Sequence, residues 1–285
     1  MTTSQLTLQS LQPHRNYSAL TAAIATECAA SRCEVLNDYA MRLHGVQLTA
    51  ALRADIEQRC HAAAVDLSVL QQPLVLSEFK LLAMDMDSTL ITIECIDEIA
   101  DMQGLKPQVA EITEAAMRGE LEFQESLIRR VALLKGLDAT ALQRVYDERL
   151  QLSLGAETLL AAARQAGLKT LLVSGGFTFF TERIQARLGL DFTHANVLEI
   201  ADGKLTGRVI GSIVDAQEKQ ATVARICAEL GVPSSAAIVM GDGANDLQMM
   251  GIAGLSLAFR AKPVVRARAD LAFNFVGLDG LLNLQ

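Results

Sequence analysis

The chain has 285 residues, of which 51% are hydrophobic and 20% charged, with a formal net charge of -8. Intrinsic disorder is excluded, since it needs low hydrophobicity and high net charge, and the apolar content suffices for one large core or two modest ones. The negative balance is the wrong sign for a nucleic-acid or anionic-membrane binder, and no apolar run approaches the length needed to cross a bilayer.

From the amino terminus, MTTSQLTLQS lacks the basic start and apolar stretch of a secretory signal, so a cytoplasmic location is expected. Alternation over residues 6–8 predicts a short strand, and Ala-rich helical spacing predicts a helix over 17–30. Residues 35–46 read as one extended stretch, 49–64 as a helix capped by Thr49, and 65–70 as a strand. Gln71, Gln72 and Pro73 break the pattern. Residues 1–77 are therefore expected to form a small α+β module of roughly 70 residues, a size at which one core is marginal. No cluster of reactive side chains stands out in it.

Beyond the break, short apolar strands over 79–84, 170–173, 237–240, 255–259 and 271–275 alternate with helices, among them 177–188, 216–230 and 263–269. That rhythm indicates a doubly wound, mostly parallel sheet. About 85 residues separate the first two strands, too many for a structureless loop in a compact domain. They carry helical patterns over 96–103, 106–117, 122–135, 140–149 and 156–165, and so predict an inserted helical subdomain. A hairpin is expected over 197–200 and 205–210 around Asp202-Gly203. Five cysteines with no C-x-x-C pair, and four histidines without ligand spacing, argue against a disulfide framework or a zinc site.

The first strand runs into Asp85-Met86-Asp87-Ser88-Thr89, and the third into Gly241-Asp242-Gly243-Ala244-Asn245-Asp246. Open α/β sheets bind ligands at the carboxyl ends of their strands. Four carboxylates gathered there repel one another unless a cation neutralises them, and hard oxygen donors favour Mg²⁺. Ser174-Gly175-Gly176, ending the second strand, offers a hydroxyl and backbone N–H groups to phosphate oxygens. Lys219, near the start of a helix, offers a point positive charge. Singly, these features are a weak motif, a helix cap, a turn and a surface lysine; together, at strand ends, they point to phosphate chemistry.

This constellation resembles the haloacid dehalogenase superfamily of phosphatases, and within it the phosphoserine phosphatase family. That family's patterns stand here as DMDSTLITIECIDEIA from residue 85, FQESLIRRVALLKGL from 123, LLVSGGFTFF from 171 and MGDGANDLQMM from 240. The likeness covers about residues 78–285; some bacterial members carry an ACT-like amino-terminal module, which 1–77 would match. It implies a Rossmann-like core over 78–92 and 154–285, with a helical cap at about 93–153. By resemblance, Asp85 is the nucleophile that becomes an aspartyl-phosphate, and Asp87 the general acid and then base. One Mg²⁺ per site would be held by Asp85, Asp242 and the Asp87 carbonyl, supported by Asn245 and Asp246. Ser174, Gly175 and Lys219 would bind phosphate. From the cap, Glu94 would meet a substrate ammonium and Arg130 a carboxylate, with Met117 and Phe123 as an apolar lid and Asn245 also touching substrate. The implied activity is hydrolysis of the small molecule O-phospho-L-serine, the last step of serine biosynthesis, with no nucleic-acid or membrane partner and with room for a homodimer. The same residues would also serve a phosphotransferase with an alcohol acceptor such as homoserine, and a silent amino-acid sensor built on 1–77 is a further alternative.

Overall fold

The computed structural model describes residues 4–117 and 120–285, Met117 through its backbone alone. Strands β1 (Ser4–Gln9), β2 (Arg32–Asn37), β3 (Ala40–Val46) and β4 (Asp66–Leu70) form an antiparallel sheet in the order β2-β3-β1-β4. Helices α1 (Ser18–Glu27) and α2 (Ala50–Ala62) cover it. Leu6, Leu8 and Leu43 from the sheet meet Ile24 and Ile56 from the helices in one apolar cluster. Thr49 caps α2 as its sequence position predicts, Oγ1 accepting from Leu52 N–H at 3.2 Å. The single extended stretch expected over 35–46 is instead the hairpin β2–β3. Asn37 turns the chain there, its Oδ1 accepting from Tyr39 N–H at 2.8 Å.

The remaining chain forms β5 (Leu81–Met84), α3 (Cys95–Asp101), α4 (Lys106–Met117), α5 (Phe123–Leu133), α6 (Thr140–Glu148), α7 (Ala156–Gln165), β6 (Lys169–Phe177), α8 (Thr178–Leu188), β7 (Phe192–Ala201), β8 (Lys204–Ile210), α9 (Ala216–Glu229), β9 (Ala237–Gly241), α10 (Leu247–Met250), β10 (Leu255–Phe259), α11 (Pro263–Arg266) and β11 (Leu271–Phe273). Its sheet runs β11-β10-β9-β5-β6-β7-β8, parallel throughout except for β8. Successive side chains on a strand face opposite ways. Leu82, Met84, Leu172, Ile238 and Met240 thus join one core with Leu160 and Phe180 from α7 and α8. Leu81, Ala83, Leu171, Val173 and Val239 join another with Val223, Met249 and Val265 from α9–α11. Burial on both faces is why these strands are continuous apolar runs.

One parallel strand escaped the sequence reading. The expected hairpin arm at 197–200 is the distal half of β7, and its proximal residues Phe192–His194 pair in parallel with Leu171–Val173. Only three consecutive residues pair there before the ladder is interrupted, and Thr193 and His194 are polar and half-buried, so no apolar run marks it.

Helices α3–α6 stand between β5 and α7. The segments leading into and out of them pair antiparallel: Thr92 N–H donates to Gln151 O, and Ser153 N–H to Leu90 O, both at 2.9 Å. Residues 136–139 then zip onto the β7–β8 hairpin through Gly136 N–H to Leu205 O, Leu205 N–H to Leu137 O and Ala139 N–H to Gly203 O, each 2.8 Å. Among the described residues no helix is long and apolar enough to cross a membrane, and all five cysteines are free thiols.

Candidate active site

Strand β5 lies between β6 and β9, so the chain leaves it in one direction through β6 and β7 and returns on the other side for β9 and β10. Such a switch point opens a crevice at the strands' carboxyl ends. Asp85 follows β5 there, Ser174 lies near the end of β6, and Asp242 follows β9.

Asp85 is 6% exposed. Its Oδ1 accepts from Met86 N–H at 2.7 Å and from Lys219 Nζ at 2.9 Å. The chain then makes a wide turn: Leu90 and Ile91 N–H reach back to the carbonyls of Asp85 and Met86 at 3.3 and 3.0 Å, with Ser88 in the left-handed region at φ 57°. Wide turns of this kind recur at functional sites. This one returns Asp87 to the crevice, where its Oδ2 accepts from Cys95 N–H at 3.3 Å. A Cβ on Gly176 would lie 3.3 Å from Asp87 Oδ2 and 3.1 Å from Ser174 Oγ, so the bare α-carbon lets these two groups flank it.

Lys219 is fully buried, with its Nζ also 2.7 Å from Asp246 Oδ1. Burial alone would favour the neutral amine, but Asp246 and Asp85 more than offset it and hold the ammonium charged. The other oxygen of Asp246 accepts from Asp242 and Gly243 N–H at 3.1 and 3.0 Å. A Cβ on Gly241 would sit 2.3 Å from that oxygen, which explains a glycine at the end of β9. Thr89, buried, donates to Asp242 Oδ1 at 3.1 Å.

Burial pushes the Asp85 carboxyl well up; Lys219 pulls it down, and Asp246 and Asp242 push it further. Burial and then Glu94 raise Asp87 to about 8, while burial, Asp246 and Glu94 raise Asp242 to about 7. Oxygens of Asp85, Asp242 and Asp246 lie within 4.8 Å of one another. Asp246 has both oxygens committed to donors of the chain, whereas Asp85 and Asp242 are engaged through Oδ1 and could hold a cation. Two crowded carboxylates held in a half-dry crevice suit a hard divalent ion.

The starts of α3 and α5 border this crevice. Glu94 accepts from Ser88 Oγ at 2.7 Å; the crevice walls raise its carboxyl, against that hydrogen bond and the charge of Arg130. Arg130 is half-buried, its Nε donating to Ser126 O at 3.4 Å. Burial lowers its pKa, opposed by Asp97, Glu94 and Asp87. Phe123 begins α5 with its ring tip 2.9 Å from where Gly175 would carry a Cβ, and Gln124 Nε2 donates to Asp215 Oδ2 at 2.7 Å. Asn245 lies half-buried in the turn after β9. The side chain of Met117 lies outside the described residues. Asp97, whose charge acts on Arg130 from α3, and Cys95, whose N–H donates to Asp87, carry no motif of their own in the sequence. Nor does Asn196, whose Nδ2 donates to Gly175 O at 2.7 Å. Asp97 stands three residues after Glu94, a spacing that could have suggested a shared face; Asn196, mid-strand, carried no such signal.

The family model of the haloacid dehalogenase-like hydrolases matches residues 79–254. A phosphoserine phosphatase of Polaromonas sp. is 58% identical over 216 residues, covering 74% of this chain and 92% of its own. A haloacid dehalogenase family hydrolase of Salmonella enterica serovar Typhi superposes with a TM-score of 0.88 at 31% identity, covering 100% of this chain and 98% of that one. A probable phosphoserine phosphatase of Vibrio cholerae, solved without ligand, gives 0.81 at 35% identity over 99% and 85% of the two chains.

Proposed function

The chain belongs to the phosphoserine phosphatase family of the haloacid dehalogenase-like hydrolases, and on that premise we propose that it hydrolyses O-phospho-L-serine to L-serine and phosphate through an aspartyl-phosphate on Asp85. The observation that carries this is the buried Asp85–Lys219–Asp246 array beside Asp242 and Ser174, at the joined ends of β5, β6 and β9.

Met86 N–H and Lys219 both take Asp85 Oδ1, which leaves Oδ2 as the attacking atom. It bonds to phosphorus as the bond from phosphorus to the seryl oxygen breaks. Asp87, kept protonated near neutral pH by its raised pKa, gives its proton to that oxygen. The resulting Asp87 carboxylate then takes a proton from a water that attacks phosphorus, and the bond to Asp85 breaks to release phosphate. Ser174, Gly175 N–H and Lys219 bind the phosphoryl oxygens and stabilise their charge. Asp85, Asp242 and the Asp87 carbonyl would hold one Mg²⁺, which when bound supplies further positive charge at the phosphoryl group. Residues at about 93–153 act as a cap over the core, with Glu94 facing the substrate ammonium, Arg130 its carboxylate, and Phe123 with Met117 excluding water.

Phosphate release with Mg²⁺ is the test, comparing O-phospho-L-serine with phosphothreonine and a sugar phosphate. Selective release from phosphoserine, abolished by chelation, is the expected result. Equal turnover of the sugar phosphate would reject the amino-acid assignment, and turnover surviving chelation would reject the metal.

A further inference from the structure

Strand β6 leaves its ladder with β7 after Val173 and rejoins it only where Phe177 stands opposite Asn196. Ser174, Gly175 and Gly176 occupy the gap. Backbone groups released from a ladder must find other partners, and here they do so in a specific way. The Gly175 carbonyl accepts from Asn196 Nδ2 at 2.7 Å, and the Gly176 N–H donates to Ser174 Oγ at 2.8 Å. These two groups belong to one peptide unit, in which C=O and N–H point in opposite directions. Whatever holds the carbonyl therefore aims the N–H. Ser174 Oγ, serving as acceptor for that N–H, keeps its own proton for donation to a phosphoryl oxygen.

Asn196 is 1% exposed, and its Oδ1 accepts from Val214 N–H at 2.8 Å. One acceptor and one donor fix which way its amide lies. Val214 directly precedes Asp215, which caps α9 by accepting from Glu218 N–H at 3.0 Å, and α9 carries Lys219. A single side chain thus ties the Ser174 loop to the start of the lysine helix.

We propose that Asn196 is a positioning residue for the hydrolysis, setting the polarity of the Ser174 hydroxyl and its spacing from Lys219. The inference rests on Ser174 and Lys219 being phosphate ligands. Aspartate at 196 would set an oxygen against the Gly175 carbonyl, and alanine would leave both backbone groups unpaired in a buried place.

A double-mutant cycle with Ser174→Ala tests this, using Asn196→Ala and, as the variant that keeps an acceptor for Val214 N–H, Asn196→Asp. Each is assayed with O-phospho-L-serine and with inorganic phosphate as competitive inhibitor, beside thermal unfolding. Either change at 196 is expected to lower kcat about tenfold or more, with a smaller effect on KM. In the Ser174→Ala background the same change should cost less than about threefold, because its route of action is gone. Equal losses in both backgrounds, or wild-type kcat in folded Asn196→Asp, would overturn the proposal. Full activity of Ser174→Ala alone would remove its premise, the phosphate role of Ser174, which separates that failure from this one.

Discussion

At the residue scale, the crevice is organised around one fully buried cation, Lys219, shared by Asp85 and Asp246. Removing one member of a buried ion pair costs about 3–5 kcal/mol, because the groups left behind lose their buried counter-charge. Lys219→Met is therefore expected to lower stability by about that amount in urea unfolding without divalent ions, besides abolishing turnover; an unchanged midpoint would show the carboxylates to be neutral there. Arg130 is proposed to pair with the substrate carboxylate. Arg130→Ala should reduce kcat/KM for phosphoserine about 100-fold, but for an aryl phosphate less than about threefold, since only the former offers a carboxylate to pair. Equal losses would reassign Arg130 to holding Asp97. The Asp, Ser and Lys positions of the core were legible in the sequence because each follows or ends an apolar strand or opens a helix. Asp97 and Asn196 were not, because their partners lie on other elements and leave no local spacing to read.

At the scale of elements, residues 136–139, which follow α5, are held to the sheet by backbone pairing with the β7–β8 hairpin. Gly207 makes that approach close: at φ 81°, a Cβ there would meet Lys135 Cβ at 2.9 Å and Ala132 O at 3.2 Å. Gly207→Ala should therefore cost about 1–3 kcal/mol and raise KM for phosphoserine as α5 shifts from the crevice. A variant with unchanged melting and KM would show that α5 is positioned elsewhere. Strands buried on both faces, such as β9 and β10, are readable to within a residue. Strand β7 was half-missed, since its three-residue parallel segment mixes Phe192 with Thr193 and His194. The β2–β3 hairpin was read as one stretch because β2 is an exposed edge strand whose Asn37-Asp38 turn signal sits inside an otherwise extended pattern.

At the scale of the whole molecule, the amino-terminal sheet is docked by a carboxylate. Asp66, 1% exposed, accepts from the backbone N–H groups of Asn274, Phe275 and Val276 at 2.7, 2.9 and 2.9 Å. Arg42 donates to the carbonyls of Asn283 and Gln285, both at 2.7 Å. No sequence pattern announces such a junction, because one side of it is main chain. Asp66→Ala would leave three N–H groups unpaired at a partly buried junction and should destabilise the protein by about 3 kcal/mol, with the amino-terminal module unfolding first in urea; a single unshifted transition would show the docking to rest on apolar contact instead. The proposed chemistry turns on Asp85, and trapping the expected phosphoenzyme addresses it most directly. Radiolabelled O-phospho-L-serine with Mg²⁺, quenched in acid during turnover, should leave a hydroxylamine-sensitive label on the peptide containing Asp85, and none in Asp85→Asn. Phosphate release with no label at Asp85, or undiminished turnover by Asp85→Asn, would contradict the covalent mechanism.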